Sequence, residues 1–436
     1  MSPRIEKLSA GLKGALRIGQ TASILAKVGM NWVAGDRPPP PKLLRETFES
    51  LGTTYIKLGQ FIASSPSVFP DAYVEEFQLC LDKTQPVPFS IMRTVLEQEL
   101  GKSLESVFTE INPEPLASAS IAQVYAAKLK TGEDVVIKVQ KPGVENILLT
   151  DLNFLYVGAR LLEYFVPNLS MASLSDIVDE IQKGMLAECD FLEEAKNIKA
   201  FQEFLVTTGN QDAIAPKVYP EATTQRILTM ERLYGVPFTD LDSVRQFTSN
   251  PENTLLTAMN TWFASLLFCD SFHADVHAGN LLVLENGKIG FIDFGIVGRI
   301  RPETWESVSK FIWAIGQEDY QAMAESMLGI GMTDGKVDTQ QLAKDIEDLY
   351  TNMDSTVMVD PMDLNAANEQ EVNRIMMKLV SLGKEHGIHF PREFALLLKQ
   401  LLYFDRYVRI LAMESNIYMD DRLNISPDNM NWKSLH

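Results

Sequence analysis

Cysteine is scarce in this chain. Its 436 residues hold three, Cys80, Cys189 and Cys269, far apart and without a C-x-x-C pair. That argues against a disulfide framework and suggests a reducing compartment. Long apolar runs are missing too. The longest uncharged stretch, Asn253 to Cys269, is interrupted by six Asn, Thr and Ser residues. That density suits a buried helix and not a lipid-facing span. The N-terminus lacks the apolar core and small-residue cleavage site of a signal peptide. The expectation is the cytoplasm or an organellar stroma or matrix. Basic residues are outnumbered, 39 Lys and Arg against 58 Asp and Glu, for a net charge of −19. This excludes nucleic acid as a partner of the body of the protein. What remains, 46% apolar and 22% charged, is the make-up of a globular protein. The length accommodates two or three domains, or one bilobal enzyme with additions.

The most informative stretch runs from His273 to Gly295, H-A-D-V-H-A-G-N-L-L-V-L-E-N-G-K-I-G-F-I-D-F-G. L-L-V-L and I-G-F-I are apolar runs joined by Asn286-Gly287, the signature of a β-hairpin. A hairpin returns the chain, so Asn280 and Asp293 can converge on one cation. Mg²⁺ takes hard oxygen ligands, one or two from protein and the rest from phosphates and water. Asp275, Asn280 and Asp293 therefore suit Mg²⁺ and a nucleoside triphosphate, in the order of a kinase catalytic loop and metal loop. Asp275 is placed to accept a proton from an attacking hydroxyl or water. His273 and His277 have a two-ligand zinc spacing, but no third His or Cys stands nearby. Bracing of the loop is the better reading for them.

Upstream, residues 4–33 read as a basic amphipathic helix, which would either lie on an anionic membrane surface or dock on the fold. Pro38–Pro41 reads as a stiff break. Leu43 to Ser64 reads as one helix carrying L-G-T-T-Y-I-K-L-G-Q, with Lys57 and Gln60 on one face. Two strands, 124–129 and 135–139, flank the turn Thr131-Gly132-Glu133. Before them lies a small-residue loop, 117–123, suited to cover a nucleotide through Ala117, Ser118, Ala119 and Ser120. Lys138 inside an apolar strand needs an acidic partner or a phosphate, because an unpaired buried ammonium is costly. The alternative is an edge-strand lysine reaching solvent. Asp176 to Phe204 reads as one long helix bearing Glu188, Asp190, Glu193 and Glu194. Arg226 to Glu231 reads as a strand leading into a connector, Leu233 to Pro237. Backbone there, with Met230 and Glu231 before it, could bind adenine. Beyond Pro302 the chain reads as mainly helical, including much of 394–411, and 419–436 as a polar tail.

These residues together resemble the UbiB/ABC1/ADCK (AarF domain-containing) family of atypical kinase-like proteins, over roughly residues 40–410. K-x-G-Q (Lys57, Gly59, Gln60), the alanine-rich loop and E-x-D (Glu188, Asp190) carry the resemblance, added to the lysine, Asp…Asn and Asp-Phe-Gly that kinases share. The resemblance implies an α+β, bilobal protein-kinase-like fold with a helical N-terminal extension and a mainly helical C-lobe. The expected division is 1–41 helix and linker, 42–112 extension, 113–235 N-lobe, 236–418 C-lobe and 419–436 tail. It implies ATP and Mg²⁺ as cofactors, with Lys138 and Asp275 catalytic and Asn280 and Asp293 on the metal. Lys57 and Gln60 would occupy the place of a protein substrate, held by Glu188 and Asp190 as regulatory partners. Glu194, or else Glu188, would pair with Lys138. Ala119 stands where ordinary kinases have glycine, and its Cβ restricts positive φ and close phosphate approach.

The sequence departs from this pattern in places. Residues 64–70 carry serines where many relatives have Arg and Asp, and the apolar membrane segments that end many relatives are not seen. Ala274 replaces the arginine that precedes a protein kinase's catalytic Asp, and only six residues separate Gly295 from Pro302. Little room is left for an activation loop or peptide platform. The expectation is an atypical kinase or ATPase supporting isoprenoid-quinone or prenyl-lipid metabolism, the pathway being implied by the resemblance alone. A nucleotide-dependent regulatory pseudokinase and a small-molecule phosphotransferase are the alternatives. A prenyl-lipid or quinone-precursor ligand and a peripheral membrane contact through the first helix are the partners implied; the oligomeric state is not.

Overall fold

Period-two burial builds the first sheet. The computed structural model describes residues 19–35, 37–63, 71–77, 79, 86–165, 174–269, 271–277, 279–300, 302–333, 335–354 and 378–411. In β4 (Asp134–Gln140), Val135, Ile137 and Val139 are wholly buried, while Val136 and Lys138 between them are half-buried. Alternation of this kind gives one face to the core and the other to a partner or solvent. The sheet runs β1 (Phe108–Ile111), β3 (Ala122–Leu129), β4, β6 (Ile227–Glu231), with β2 (Ala117–Ser118) also paired to β3. All these pairings are antiparallel, Lys138 lying opposite Val124 on one side and Leu228 on the other. A strand flanked on both sides is not an edge, so the solvent-reaching edge lysine is ruled out. Beneath the sheet, Met92 and Leu96 join Tyr125, Val135 and Ile137 in one buried cluster. Full burial of each aliphatic side chain contributes roughly 1.5–3 kcal/mol.

The helices of the N-terminal half correct two expectations. Residues 19–33 are helical (α1), and the earlier part of the expected first helix, 4–18, lies outside the described residues. The expected Leu43–Ser64 helix is two, α2 (Pro40–Leu51) and α3 (Thr53–Ala63), because Gly52 adopts φ +93 and breaks the ladder. Pro40 and Pro41 sit in the first turn of α2, where their missing N–H costs nothing. After α4 (Asp71–Phe77), α5 (Phe89–Leu100), α6 (Leu104–Val107) and α7 (Val144–Phe165), the long helix expected over 176–204 is also two. These are α8 (Leu174–Ala187) and α9 (Phe191–Thr207). Asp190 makes the break. Its Oδ1 accepts from Leu192 N at 3.0 Å and its carbonyl from Glu193 N at 3.0 Å, which starts a new helix. Gln140 Nε2 donates to the Cys189 carbonyl in the gap.

The described residues fall into two compact units, one from within 1–64, 69–193 and 218–232, the other from within 194–217 and 233–436. The chain crosses between them at Glu193-Glu194, Lys217-Val218 and Arg232-Leu233.

The second unit holds a sheet in the order β5 (Ala213–Ile214), β10 (Ile289–Phe291), β9 (Leu281–Leu284), β7 (Gly235–Pro237). β9 and β10 form the expected hairpin, Val283 opposite Ile289, turned by a 3₁₀ segment, Glu285–Gly287, with Gly287 at φ +75. A second ribbon pairs β8 (Phe272–His273) with β11 (Val297–Gly298). Helices α10 (Leu241–Phe247), α11 (Pro251–Phe268), α12 (Pro302–Gly316) and α13 (Tyr320–Ile330) follow the chain order around these strands. Next come β12 (Met332–Thr333), α14 (Thr339–Asp354), a helix over 378–385 (α15), β13 (Ile388–His389) and α16 (Arg392–Leu411). Trp262 of α11 is fully buried, 5.3 Å from the Phe404 ring of α16, and its indole N–H donates to the His273 carbonyl. No helix among the described residues is long and apolar enough to cross a membrane.

Candidate functional site

In the second unit, backbone pairing pins both ends of the segment from His273 to Gly295. Val297 pairs with His273, Ala274 N donates to the Ile296 carbonyl, and Ile292 N donates to the Asn280 carbonyl. Gly298 is required at its place, since a Cβ there would strike the Phe272 ring. Asp275 and Asp293 therefore leave adjoining strand ends. Asp293 sits at φ +58, a left-handed conformation that Asp tolerates better than most residues. The following Gly295 N donates to Asp293 Oδ1 at 3.2 Å. Phe294 is buried between the rings of Phe201 (5.1 Å) and His273 (4.7 Å), and Asn197 Nδ2 donates to its carbonyl. Glu194 is buried one turn before Asn197, and its Oε2 comes within 3.8 Å of where a Cβ on Gly295 would lie.

Each oxygen of Asp275 has its own neighbours. Oδ1 lies 3.4 Å from the Lys399 ammonium; Oδ2 accepts from Asn280 Nδ2 at 3.2 Å and lies 3.5 Å from His277 Nε2. Burial works to raise this carboxyl, but Lys399 and then His277 outweigh it, so it sits below its ordinary value despite the opposing charge of Asp293. It stays an anion able to take a proton. Asn280 spends its NH₂ on the Asp275 carbonyl (3.1 Å) and carboxylate, which leaves its amide oxygen as the ligand atom for a hard cation. Asn280 and Asp293 thus fit Mg²⁺, which asks little more of a protein than two oxygens.

The histidines brace the loop. His273 is buried, its ordinary pKa lowered by burial. As a neutral ring its Nε2–H donates to the Ile292 carbonyl at 2.9 Å while Nδ1 accepts from Asp275 N at 3.2 Å. His277 Nδ1 accepts from Gly279 N at 2.9 Å. Both imidazoles are so engaged, and no group of three His, Cys, Asp or Glu among the described residues is placed to hold a metal ion.

In the first unit, Lys57 Nζ lies 2.8 Å from Glu188 Oε2, with side chains 16% and 25% exposed. K-x-G-Q and E-x-D therefore meet through these two residues. Asp190, expected beside them, caps α9 and accepts from Gln225 Nε2 at 3.5 Å. The Gln60 side chain lies outside the described residues. Lys138 Nζ stands 5.4 Å from the Phe191 ring centroid, a favourable place for a cation. The small-residue segment is tighter than the loop expected over 117–123. Ala117 pairs with Val124, Ser118 with Gln123, and Ala119 N donates to the Ala122 carbonyl at 2.9 Å. Ala119 turns without positive φ; outside glycine, only Asp293 and Glu318 among the described residues have it. Ser118 Oγ is buried without a hydrogen-bond partner among the described residues. Met230 and Glu231 end β6, opposite Val136 and Val135.

The model of the ABC1 atypical kinase-like domain matches residues 79–327. This chain belongs to that family. An uncharacterized aarF domain-containing protein kinase of Arabidopsis thaliana, described as chloroplastic, is 47% identical over 96% of this chain and 84% of its own. A probable protein kinase UbiB of Pseudomonas aeruginosa is 28% identical over 86% of this chain and 69% of its own. Among solved structures, a Mycobacterium tuberculosis protein, Rv3197, in complex with erythromycin aligns with a TM-score of 0.51 at 22% identity. The alignment covers 81% of this chain and 91% of that one, and supports the kinase-like α+β fold.

The ABC1 motifs account for the loop but not for what holds it. Gln400 of α16 accepts from Val276 N at 2.8 Å and donates to the carbonyls of Ala274 (2.7 Å) and Leu396 (2.8 Å). Tyr407 donates to the Val276 carbonyl at 2.8 Å. Lys399, Gln400 and Tyr407 lie more than 120 residues downstream on an ordinary amphipathic helix, and no local pattern distinguishes them. For Asp190 a signal was present, D-x-x-E over 190–193, the spacing of a capping box.

Proposed function

We propose that this ABC1 protein binds Mg-ATP and transfers or hydrolyses its terminal phosphate, acting on water or on a small or lipidic acceptor. The observation that carries this is the Asp275–Asn280–Asp293 arrangement. It sets an ionised carboxylate, two hard oxygen ligands and a neutral His273 brace on strand ends fixed by backbone pairing. In the second unit Asp275 takes the proton of the attacking hydroxyl, and Asn280 and Asp293 hold Mg²⁺, which supplies charge neutralisation when bound. In the first unit Lys138 serves the phosphates, and the buried Ser118 hydroxyl is ready for a phosphate oxygen. Met230 and Glu231 at the end of β6 are nucleotide-binding residues of the first unit in this reading, and Glu194 is one of the second. Ala274 and the mere six residues between Gly295 and Pro302 support a non-protein acceptor. The UbiB name borne by relatives supports quinone or prenyl-lipid metabolism as the setting.

Hydrolysis of Mg-ATP by the purified chain, lost in Asp293→Asn with the fold intact by circular dichroism, is the expected result. Nucleotide binding without turnover under every lipid condition would replace this reading with that of a nucleotide-dependent regulatory module, in which Lys57 and Glu188 act as the responding pair.

Helix α1 leaves Met30 and Val33 65% and 82% exposed, with Trp32 and Leu25 also open and Lys27 among them. This supports contact with an anionic membrane surface. Pelleting with anionic liposomes should be lost when the chain is begun at Lys42; equal pelleting rejects the contact.

A further inference from the structure

Lys399 lies outside the matched family segment, yet it touches the proposed catalytic carboxylate. Its ammonium stands 3.4 Å from Asp275 Oδ1, and the side chain is 23% exposed against 18% for Asp275. The next residue, Gln400, makes three hydrogen bonds that tie α16 to the loop and to itself, so the start of the Lys399 side chain is fixed against Asp275. One turn on, the Tyr403 ring lies 5.6 Å from the ammonium. Lys399 is therefore held at both ends of its length, unlike a surface lysine, whose four-carbon stem ordinarily keeps its rotamer freedom.

Its position is chemically specific. The Oδ2 side of Asp275 belongs to Asn280 and His277; Oδ1 belongs to Lys399. The loop gathers two carboxylates, Asp275 and Asp293, and phosphoryl oxygens would add further negative charge. An ammonium carries three donors, and the contact to Asp275 uses one.

We propose that Lys399 is a further catalytic residue of this centre. It holds Asp275 by Oδ1 and donates to the non-bridging oxygens of the phosphoryl group in transit. This rests on the phosphoryl-transfer reading above. In the step served, the acceptor's O–H proton passes to Asp275. The acceptor oxygen forms its bond to the γ-phosphorus with the electron pair so released. The bond from that phosphorus to the β,γ-bridging oxygen breaks, its pair leaving on ADP. Lys399 neutralises charge on the migrating group without gaining or losing a proton.

The test uses the full chain with Mg-ATP, measuring kcat and KM for hydrolysis and, separately, the affinity of a fluorescent ATP analogue. Lys399→Met should lower kcat by about a hundredfold or more, the scale set by removing one donor to a developing charge, while nucleotide affinity stays within about twofold. Lys399→Arg, which keeps a cation, should recover most of the loss. Wild-type kcat in Lys399→Met, a matching loss of nucleotide affinity, or no recovery in Lys399→Arg overturns the proposal in favour of a structural role. Melting curves of both variants identify a folding failure, and the arginine variant then decides. A wild-type chain without turnover sinks the phosphoryl-transfer reading and this inference with it; an active wild type with an indifferent Lys399 sinks only the inference.

Discussion

Glu188 in the first unit and Asp275 in the second each meet a lysine, at 2.8 Å and 3.4 Å, but their backbones are held differently. Asp275 lies on a loop gripped by strand pairing, by a buried histidine and by Gln400 and Tyr407 of a distant helix. Glu188 lies in the short gap between α8 and α9, where the break is shaped by the Asp190 cap and by Gln140 on the Cys189 carbonyl. The shorter ion pair thus sits on the less constrained backbone. In the proposed reading, the geometry that serves bond-making is fixed by many weak contacts, whereas a regulatory pair needs only to form and open. A part-exposed ion pair is suited to that, being worth roughly 1 kcal/mol or less.

The contrast can be broken most forcefully at Phe294. Phe294→Ala removes a fully buried ring from between Phe201 and His273 and should cost about 3–5 kcal/mol in urea unfolding. A loss near zero would show that the segment around Phe294 is not fixed by its packing. Gln400→Leu comes next. It leaves Val276 N and the Ala274 carbonyl unmet and should cost about 1–3 kcal/mol; turnover should fall by about a hundredfold through misplacement of Asp275. Normal kinetics in that variant would mean that the loop holds itself. Lys57→Met should then cost no more than about 1 kcal/mol while shifting the nucleotide response, read as ATPase rate or analogue affinity. A large stability loss with unchanged nucleotide response would reverse the roles assigned to the two regions.

The smallest expected effect is a pH slope. Burial lowers the His273 pKa from its ordinary 6.5, so at acid pH the unfolded chain binds a proton that the folded chain resists. Stability from this group is fully present above 6.5 and is lost as pH falls below it toward the lower folded value. His273→Gln, which titrates nothing at this place, should unfold with a shallower acid slope than the parent. Equal slopes would indicate that His273 charges freely in the folded state.

The hairpin was legible because Asn286-Gly287 and its flanking apolar runs are adjacent in sequence. The first sheet was legible because Val135, Ile137 and Val139 alternate with their neighbours. The two helix breaks were missed for one reason: apolar periodicity runs through Gly52 and through Cys189, and local geometry, a positive φ and an Asp190 cap, overrode it. The Lys57–Glu188 approach could be anticipated only through family resemblance, since more than 120 residues separate them. Nothing in the order of residues announced Gln400 or Tyr407, whose role exists only once the chain has folded back on itself.

That last feature has a bearing on synthesis. A ribosome that has just completed residue 327, where the family match ends, has made every residue of the hairpin and both of its aspartates. It has not made the glutamine and tyrosine that hold Val276. Because domains fold from the N-terminal side as they emerge, at roughly 5–20 residues per second, the nascent chain passes several seconds with its motifs complete and their loop unbraced. A chain ended before the last described helix would carry the motifs without the Gln400 and Tyr407 hydrogen bonds to their loop.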